Sequence, residues 1–154
     1  MIMTNPKSSL AVAALKDGTV IDHIPTDALF KVVKLLDLEN SKKQITIGNN
    51  LSGSTGLKGI IKIAEVFFPQ EVLNRIAIIA PKAVVNIIKD YEVVEKLKVE
   101  LPDTVVGLVK CDNPKCICNN EPMSTRFHVL DREKGILRCH YCNHAIKTIN
   151  ATIL

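Results

Sequence analysis

The sequence predicts an α+β protein, a sheet covered on one face by two helices, followed by a small β domain closed around thiols. Three observations carry that expectation. Strand-like and helix-like runs alternate through the first hundred residues, the order expected of a layered α+β unit. All five cysteines fall in the last 44 residues and none in the first 110. Large apolar side chains thin out beyond Leu101-Pro102, and a segment that short needs a metal or disulfide staple to fold.

The elements follow in order. Leu10–Leu15 and Thr19–Ile24 are β-rich runs around "KDG", which reads as a turn. Pro25 and Thr26 open "DALFKVVKLLDLEN", where Leu29, Phe30, Val33 and Leu36 share one helical face. "KKQITIGNN" is expected to be a strand that ends in a glycine-containing loop. "LKGIIKIAEVFFP" reads as a second helix, with Ile60, Ile61, Ala64, Phe67 and Phe68 on one stripe and Pro69 as its stop. "RIAIIAPKAVVNIIKDYEVVEKLKVELP" reads as strands broken near Pro81 and near Lys89-Asp90. The domain boundary is expected near 97–104, giving units of 1–100 and 101–154.

Composition excludes several classes. No 18-residue apolar stretch exists, so no membrane-spanning helix is expected. The start, "MIMTNPKSSLAVAALKDG", has no convincing signal-peptide cleavage pattern, and the chain is read as cytoplasmic. In a reducing compartment, clustered cysteines point to metal or catalysis before disulfides. Net charge is +4, from 20 basic and 16 acidic residues. Residues 1–102 hold 13 and 11 of these and residues 103–154 hold 7 and 5, so each part is +2. Four thiolates around one divalent cation would bring the second part to zero (2 − 4 + 2), which weakens a charge argument for nucleic acid.

Cys111-x4-Cys116 and Cys139-x2-Cys142 form paired knuckles able to close a tetrahedral S4 shell, the chemistry of one structural Zn(II) per chain. Cys118 is the spare, because using it in place of Cys116 opens the first knuckle to six intervening residues. His140 and His144 could stand in for a cysteine, and a rubredoxin-like iron site is a second option. Lys58 and Lys62, four apart on the expected second helix, project on one side, opposite the Ile60/Ile61/Ala64/Phe67 stripe, and Lys96, which ends the last strand run, is a third lysine. Convergence of the three would suit a polyphosphate, with Asp22-His23 at a strand end available to a base or ribose. The plainer alternative is a solvated lysine face. No nucleophile-base set, P-loop or G-x-G-x-x-G is present, so catalysis is not expected.

"GTVIDHIP", "QITIG", "LKGIIKIAEVF", "IAIIAPKAVVNIIKDYEVVEK" and the C-x4-C…C-x2-C tail, in that order, resemble the regulatory chain of aspartate carbamoyltransferase. The resemblance implies a ferredoxin-like antiparallel domain joined to a zinc-ribbon, rubredoxin-like domain. It implies a non-catalytic role in pyrimidine biosynthesis, with homodimers bridging catalytic chains and ATP, CTP and UTP as allosteric ligands. It assigns nucleotide contacts to Ala14, Leu15, Asp22, His23, Lys58, Lys62, Asn86, Ile88, Tyr91, Val93 and Lys96, and zinc to Cys111, Cys116, Cys139 and Cys142. Ala13 stands where the resemblance leads one to expect a carboxylate, the 49–53 loop is one residue shorter, and Lys115 departs from the first knuckle's usual pattern. The rival reading is a zinc-ribbon nucleic-acid-binding adaptor.

Overall fold

A computed structural model describes residues 14–54 and 56–154. The first sheet is built from β1 (Gly18–Ile24), β2 (Ile45–Gly53), β3 (Gly56–Ala64), β4 (Val84–Lys89) and β5 (Glu92–Lys98). Helix α1 (Leu29–Leu35) follows β1, and α2 (Gln70–Ile76) follows β3. All neighbours pair antiparallel in the order β2-β3-β1-β4-β5. The connection β1-α1-β2, β3-α2-β4 with β1 and β3 central is the ferredoxin-like arrangement, extended by β5 at one edge.

One apolar row crosses all five strands, buried at its centre and exposed at Ile47: Ile47, Ile61, Ile21, Val85 and Leu97 stand opposite one another in register. Ile21, Ile61 and Val85 are fully buried, as are Leu29 and Val32 from α1 and Leu73 and Ile76 from α2. Leu29 can press close because Gly59 has no side chain; a Cβ there would lie 2.8 Å from Leu29 Cδ1.

The expected helix over "LKGIIKIAEVF" is instead strand β3. Gly59, Ile61 and Ile63 are buried while Lys58, Ile60 and Lys62 are half-exposed, a period of two. Three β-branched isoleucines and two glycines in nine residues disfavour helix and suit a pleated surface. The second helix comes later, at Gln70–Ile76, and its last two residues with the turn after them take the place of the strand expected from Arg75. Pro69 opens it, with φ −61° and ψ 153°, and does not end the preceding element. Leu73, Ile76, Ala77 and Ala80 then bury at helical spacing. Ala14 and Leu15 lie outside any strand, and residues 10–13 of the expected first run lie outside the described residues. Phe30 also departs from expectation: it is 67% exposed, and Leu29 and Val32 carry the inward face.

The second sheet is an antiparallel meander of β6 (Thr104–Val106), β7 (Arg126–Asp131), β8 (Ile136–Cys139) and β9 (Ala145–Lys147). Its centre is small: Val105, Val109, Phe127 and Leu137 are buried. Val99, Leu101 and Val105 carry buried apolar contact from one sheet to the other without a break. Arg132 straps this join, donating from Nε to the Leu101 carbonyl at 2.9 Å and pairing through its guanidinium with Asp103. No helix among the described residues is long and apolar enough to cross a membrane.

Candidate metal centre and lysine-bearing sheet face

The first knuckle is shaped by its own side chains. Asn113 Oδ1 accepts from the Lys115 N–H at 3.0 Å, and the Cys116 N–H donates to the Asn113 carbonyl at 3.0 Å, turning the chain back on itself. Helix α3 (Ile117–Asn120) begins directly after Cys116. Asn119 Nδ2 donates to the carbonyls of Cys111 and Asn113, both at 2.8 Å, and Asn120 Nδ2 to those of Cys116 and Pro114 at 2.8 and 3.1 Å. The second knuckle turns at the end of β8, where the Cys139 N–H donates to the His144 carbonyl and the Asn143 N–H to Cys139, each at 2.9 Å.

These turns bring five sulfurs together. Cys111 and Cys142 lie 3.7 Å apart, as do Cys116 and Cys139. A tetrahedral shell with bonds of about 2.3 Å has edges of about 3.8 Å, so both pairs already stand at the spacing a metal would impose. The donor set fits a soft or borderline divalent cation. Cys118, expected to be a bystander, is packed in as well, with its sulfur 3.2 Å from that of Cys116. The sulfurs of Cys111, Cys116, Cys118 and Cys139 all lie within 4.8 Å of one another. The histidines are engaged elsewhere: His140 Nδ1 meets His128 Nε2 at 2.8 Å, and His144 Nε2 meets Asp112 at 2.6 Å.

Burial pushes the thiols of Cys111 and Cys139 up and that of Cys118 up to about 12. Burial pulls Cys142 upward too, but hydrogen bonds from the His144 backbone and from Asn113, Cys111 and Cys116 outweigh it and hold that thiol near 7.

The other candidate site lies on the sheet face opposite the core row. Thr46, Lys62, Val20, Asn86 and Lys96 face one another across β2, β3, β1, β4 and β5. Three inter-strand steps separate Lys62 from Lys96, about 14 Å. Lys58 shares this face, its Nζ bonded to the Asp22 carboxylate at 3.0 and 3.2 Å. Asp22 Oδ1 also accepts from the His23 N–H at 2.7 Å, which holds His23 in a left-handed conformation, φ 60°. Burial lowers the Lys62 pKa, with Asp22 pulling it the other way. Asn86 Oδ1 is buried with no hydrogen-bond partner among the described residues, a costly state that an incoming donor would relieve.

A hollow of about 300 Å³ at one end gathers Ala14, Leu15, Lys62 and Tyr91 from the expected set, together with Lys16, Gln44 and Thr46. Ile88 and Val93 pair beside it, and Val93 is largely exposed. His23 and Lys58 line a different hollow, about 380 Å³, with Pro25, Ser54, Leu57 and Lys82. Six of the expected residues thus divide between two depressions, while Asp22, Asn86, Ile88, Val93 and Lys96 line neither. Gln44, Thr46, Asn119 and Asn120 escaped the sequence reading, since their importance depends on strand register and knuckle shape.

Two family descriptions match the chain in sequence. Residues 10–100 match the aspartate carbamoyltransferase regulatory chain, allosteric domain, and residues 103–151 match its metal binding domain. The chain is 61% identical over 141 residues to the aspartate carbamoyltransferase regulatory chain of Parabacteroides distasonis, covering 91% of this chain and 92% of the relative. It is 58% identical to that of Bacteroides thetaiotaomicron over 153 residues, 99% and 100% of the two chains. With that of Pyrococcus abyssi it shares 45% over 143 residues, 91% and 94%. Fold, sulfur cluster and sequence agree: the chain belongs to the family of aspartate carbamoyltransferase regulatory chains.

Proposed function

We propose that this chain is the non-catalytic, nucleotide-sensing subunit of a cytoplasmic aspartate carbamoyltransferase in pyrimidine biosynthesis. Residues 1–100 form the sensing unit, binding ATP, CTP and UTP competitively. Residues 101–154 hold one structural Zn(II) on Cys111, Cys116, Cys139 and Cys142 and grip the catalytic chain. Two such chains pair, and the pair links catalytic trimers.

The observation that carries the sensing role is the row of Lys62, Asn86 and Lys96, with Lys58 alongside, on a sheet face that the helices leave open. The lysines offer charge-assisted hydrogen bonds to phosphate and ribose oxygens, and the unpartnered Asn86 carbonyl oxygen accepts from a nucleobase amino group. Zinc supplies no chemistry of its own in a closed S4 shell. It fixes the two knuckles and, with them, the surface they present. An effector acts only by preferring one state of the assembly, so nucleotide binding in this chain changes the partner's response without any reaction here.

The test is co-elution of the purified chain with catalytic trimers, with titration calorimetry of the chain against CTP and ATP. Binding of both nucleotides at one competitive site, together with co-elution, is expected. Elution with nucleic acid and no nucleotide binding would favour the adaptor reading.

A further inference from the structure

The metal centre holds one more sulfur than a tetrahedral shell can use. Cys118 is 6% exposed and sits in α3, whose neighbouring Asn119 and Asn120 tie the knuckle's carbonyls in place. Its sulfur is 3.2 Å from Cys116 Sγ, shorter than the tetrahedral edge of about 3.8 Å, so no regular shell accommodates both at that distance. Its other neighbours are near the required spacing. All six distances among Cys111, Cys116, Cys118 and Cys139 are within 4.8 Å, so about 1 Å of adjustment converts them into a second tetrahedral set. That second set omits Cys142, the one thiol of the five that is not buried. Cys142 lies in the turn after β8, outside any strand or helix, with left-handed Asn143 behind it (φ 63°).

We propose that Cys118 is an exchange ligand: it stands beside the shell of Cys111, Cys116, Cys139 and Cys142 and takes the fourth position when Cys142 is blocked or withdrawn. In the exchange the bond from Cys142 sulfur breaks, a bond to Cys118 sulfur forms, and the Cys118 proton leaves to the departing thiolate or to water. The shell keeps four thiolates and the same net charge, with no change of oxidation state. The centre therefore tolerates chemical attack on its exposed edge, where a four-cysteine site would lose its metal. This inference rests on the metal-centre reading above.

The full-length chain tests it through cobalt(II) substitution, in which the intensity of the thiolate-to-cobalt charge-transfer band reports the number of sulfur ligands. Zinc retention is measured in parallel by elemental analysis and by release to a chelator. C142S is expected to keep one metal with a four-thiolate spectrum, and C118S to match the wild type. The C118S/C142S double variant is expected to fall to three thiolates and release zinc about tenfold faster or more. A second measurement needs no variant: N-ethylmaleimide is expected to modify Cys142 in the zinc-loaded wild type, located by peptide mass, without loss of zinc. The exchange is overturned if C142S shows three thiolates like the double variant, or if alkylation at Cys142 in the wild type releases the metal. A wild-type chain that holds no metal would overturn the metal centre itself, a separate result.

Discussion

Lys58 Nζ sits within 3.2 Å of both carboxylate oxygens of Asp22, so β3 and β1 are clasped by a partly buried ion pair at one end of the lysine face. The carboxylate also holds the His23 N–H, so two functional candidates, Lys58 and His23, are fixed by one acid. A double-mutant cycle with Asp22→Asn and Lys58→Met is expected to give a coupling of about 1 kcal/mol in urea unfolding, the upper range for a pair that still touches solvent. Additive effects would show that the pair holds neither strand nor side chain.

Lys62→Ala is expected to weaken CTP and ATP binding at least about tenfold, the loss of one charge-assisted phosphate contact worth about 1.5 to 3 kcal/mol. Calorimetry showing unchanged affinity for both would remove Lys62 from the phosphate site.

The same lysine gives a pH dependence. Burial holds its pKa below the ordinary lysine value, and a bound polyphosphate would raise it again. Binding then takes up a proton, and affinity, full below the lowered free-state pKa, falls as pH climbs through it. Titrations in buffers of different ionisation enthalpy are expected to reveal this uptake in the wild type and not in Lys62→Met.

Cys116→Ala is expected to lose the metal and unfold the second sheet, since structural zinc contributes on the order of 10 kcal/mol to such sites. Cys118→Ala is expected to keep both. Equal metal content in the two variants would overturn the preference for Cys116 over Cys118 in the shell.

Arg132→Ala is expected to leave CTP affinity of the isolated chain unchanged while reducing the nucleotide response of the assembled enzyme. The guanidinium ties Leu101 and Asp103 across the join between sheets and bonds to none of the candidate ligand or metal residues, so its loss slackens transmission without removing a contact to either. An undiminished response, measured as the shift in aspartate saturation, would place the coupling elsewhere.

The two lysines show why the sequence reading of the face survived an error in the element that carries them. Positions 58 and 62 are neighbours on a helix, where four residues make about one turn, and they also share a face on a strand, where four is even. That the two lysines share a face was therefore legible; the secondary structure was not, and Ile60 and Ala64, expected on the opposite side, lie on the lysine face. Isoleucine-rich "RIAIIA" looks like a strand, yet it enters and follows a helix because packing on the sheet beside α1 overrides local propensity. Cysteine spacing was legible directly, because ligand geometry is local to each knuckle. Thr46, opposite Lys62, was hidden, because register across β2 depends on the shift between Gly48 and Leu51. The partnering of Asn119 and Asn120 with knuckle carbonyls has no spacing signature.

The hairpin between β4 and β5 turns on Asp90 and Tyr91, both left-handed, φ 53° and 68°. Such turns favour Asn-Gly, and a tyrosine at the second position sacrifices some hairpin stability. Tyr91 nevertheless lines the 300 Å³ hollow together with Lys62, and its N–H reaches the Lys16 carbonyl at 2.9 Å. An engineer seeking heat resistance would choose Asn-Gly here and gain a firmer hairpin. That swap would also strip one wall from the hollow, so thermal hardening and ligand recognition compete for the same two residues. A library that varies 90 and 91 together, sorted once by melting temperature and once by CTP affinity, would enrich different sequences in the two sorts.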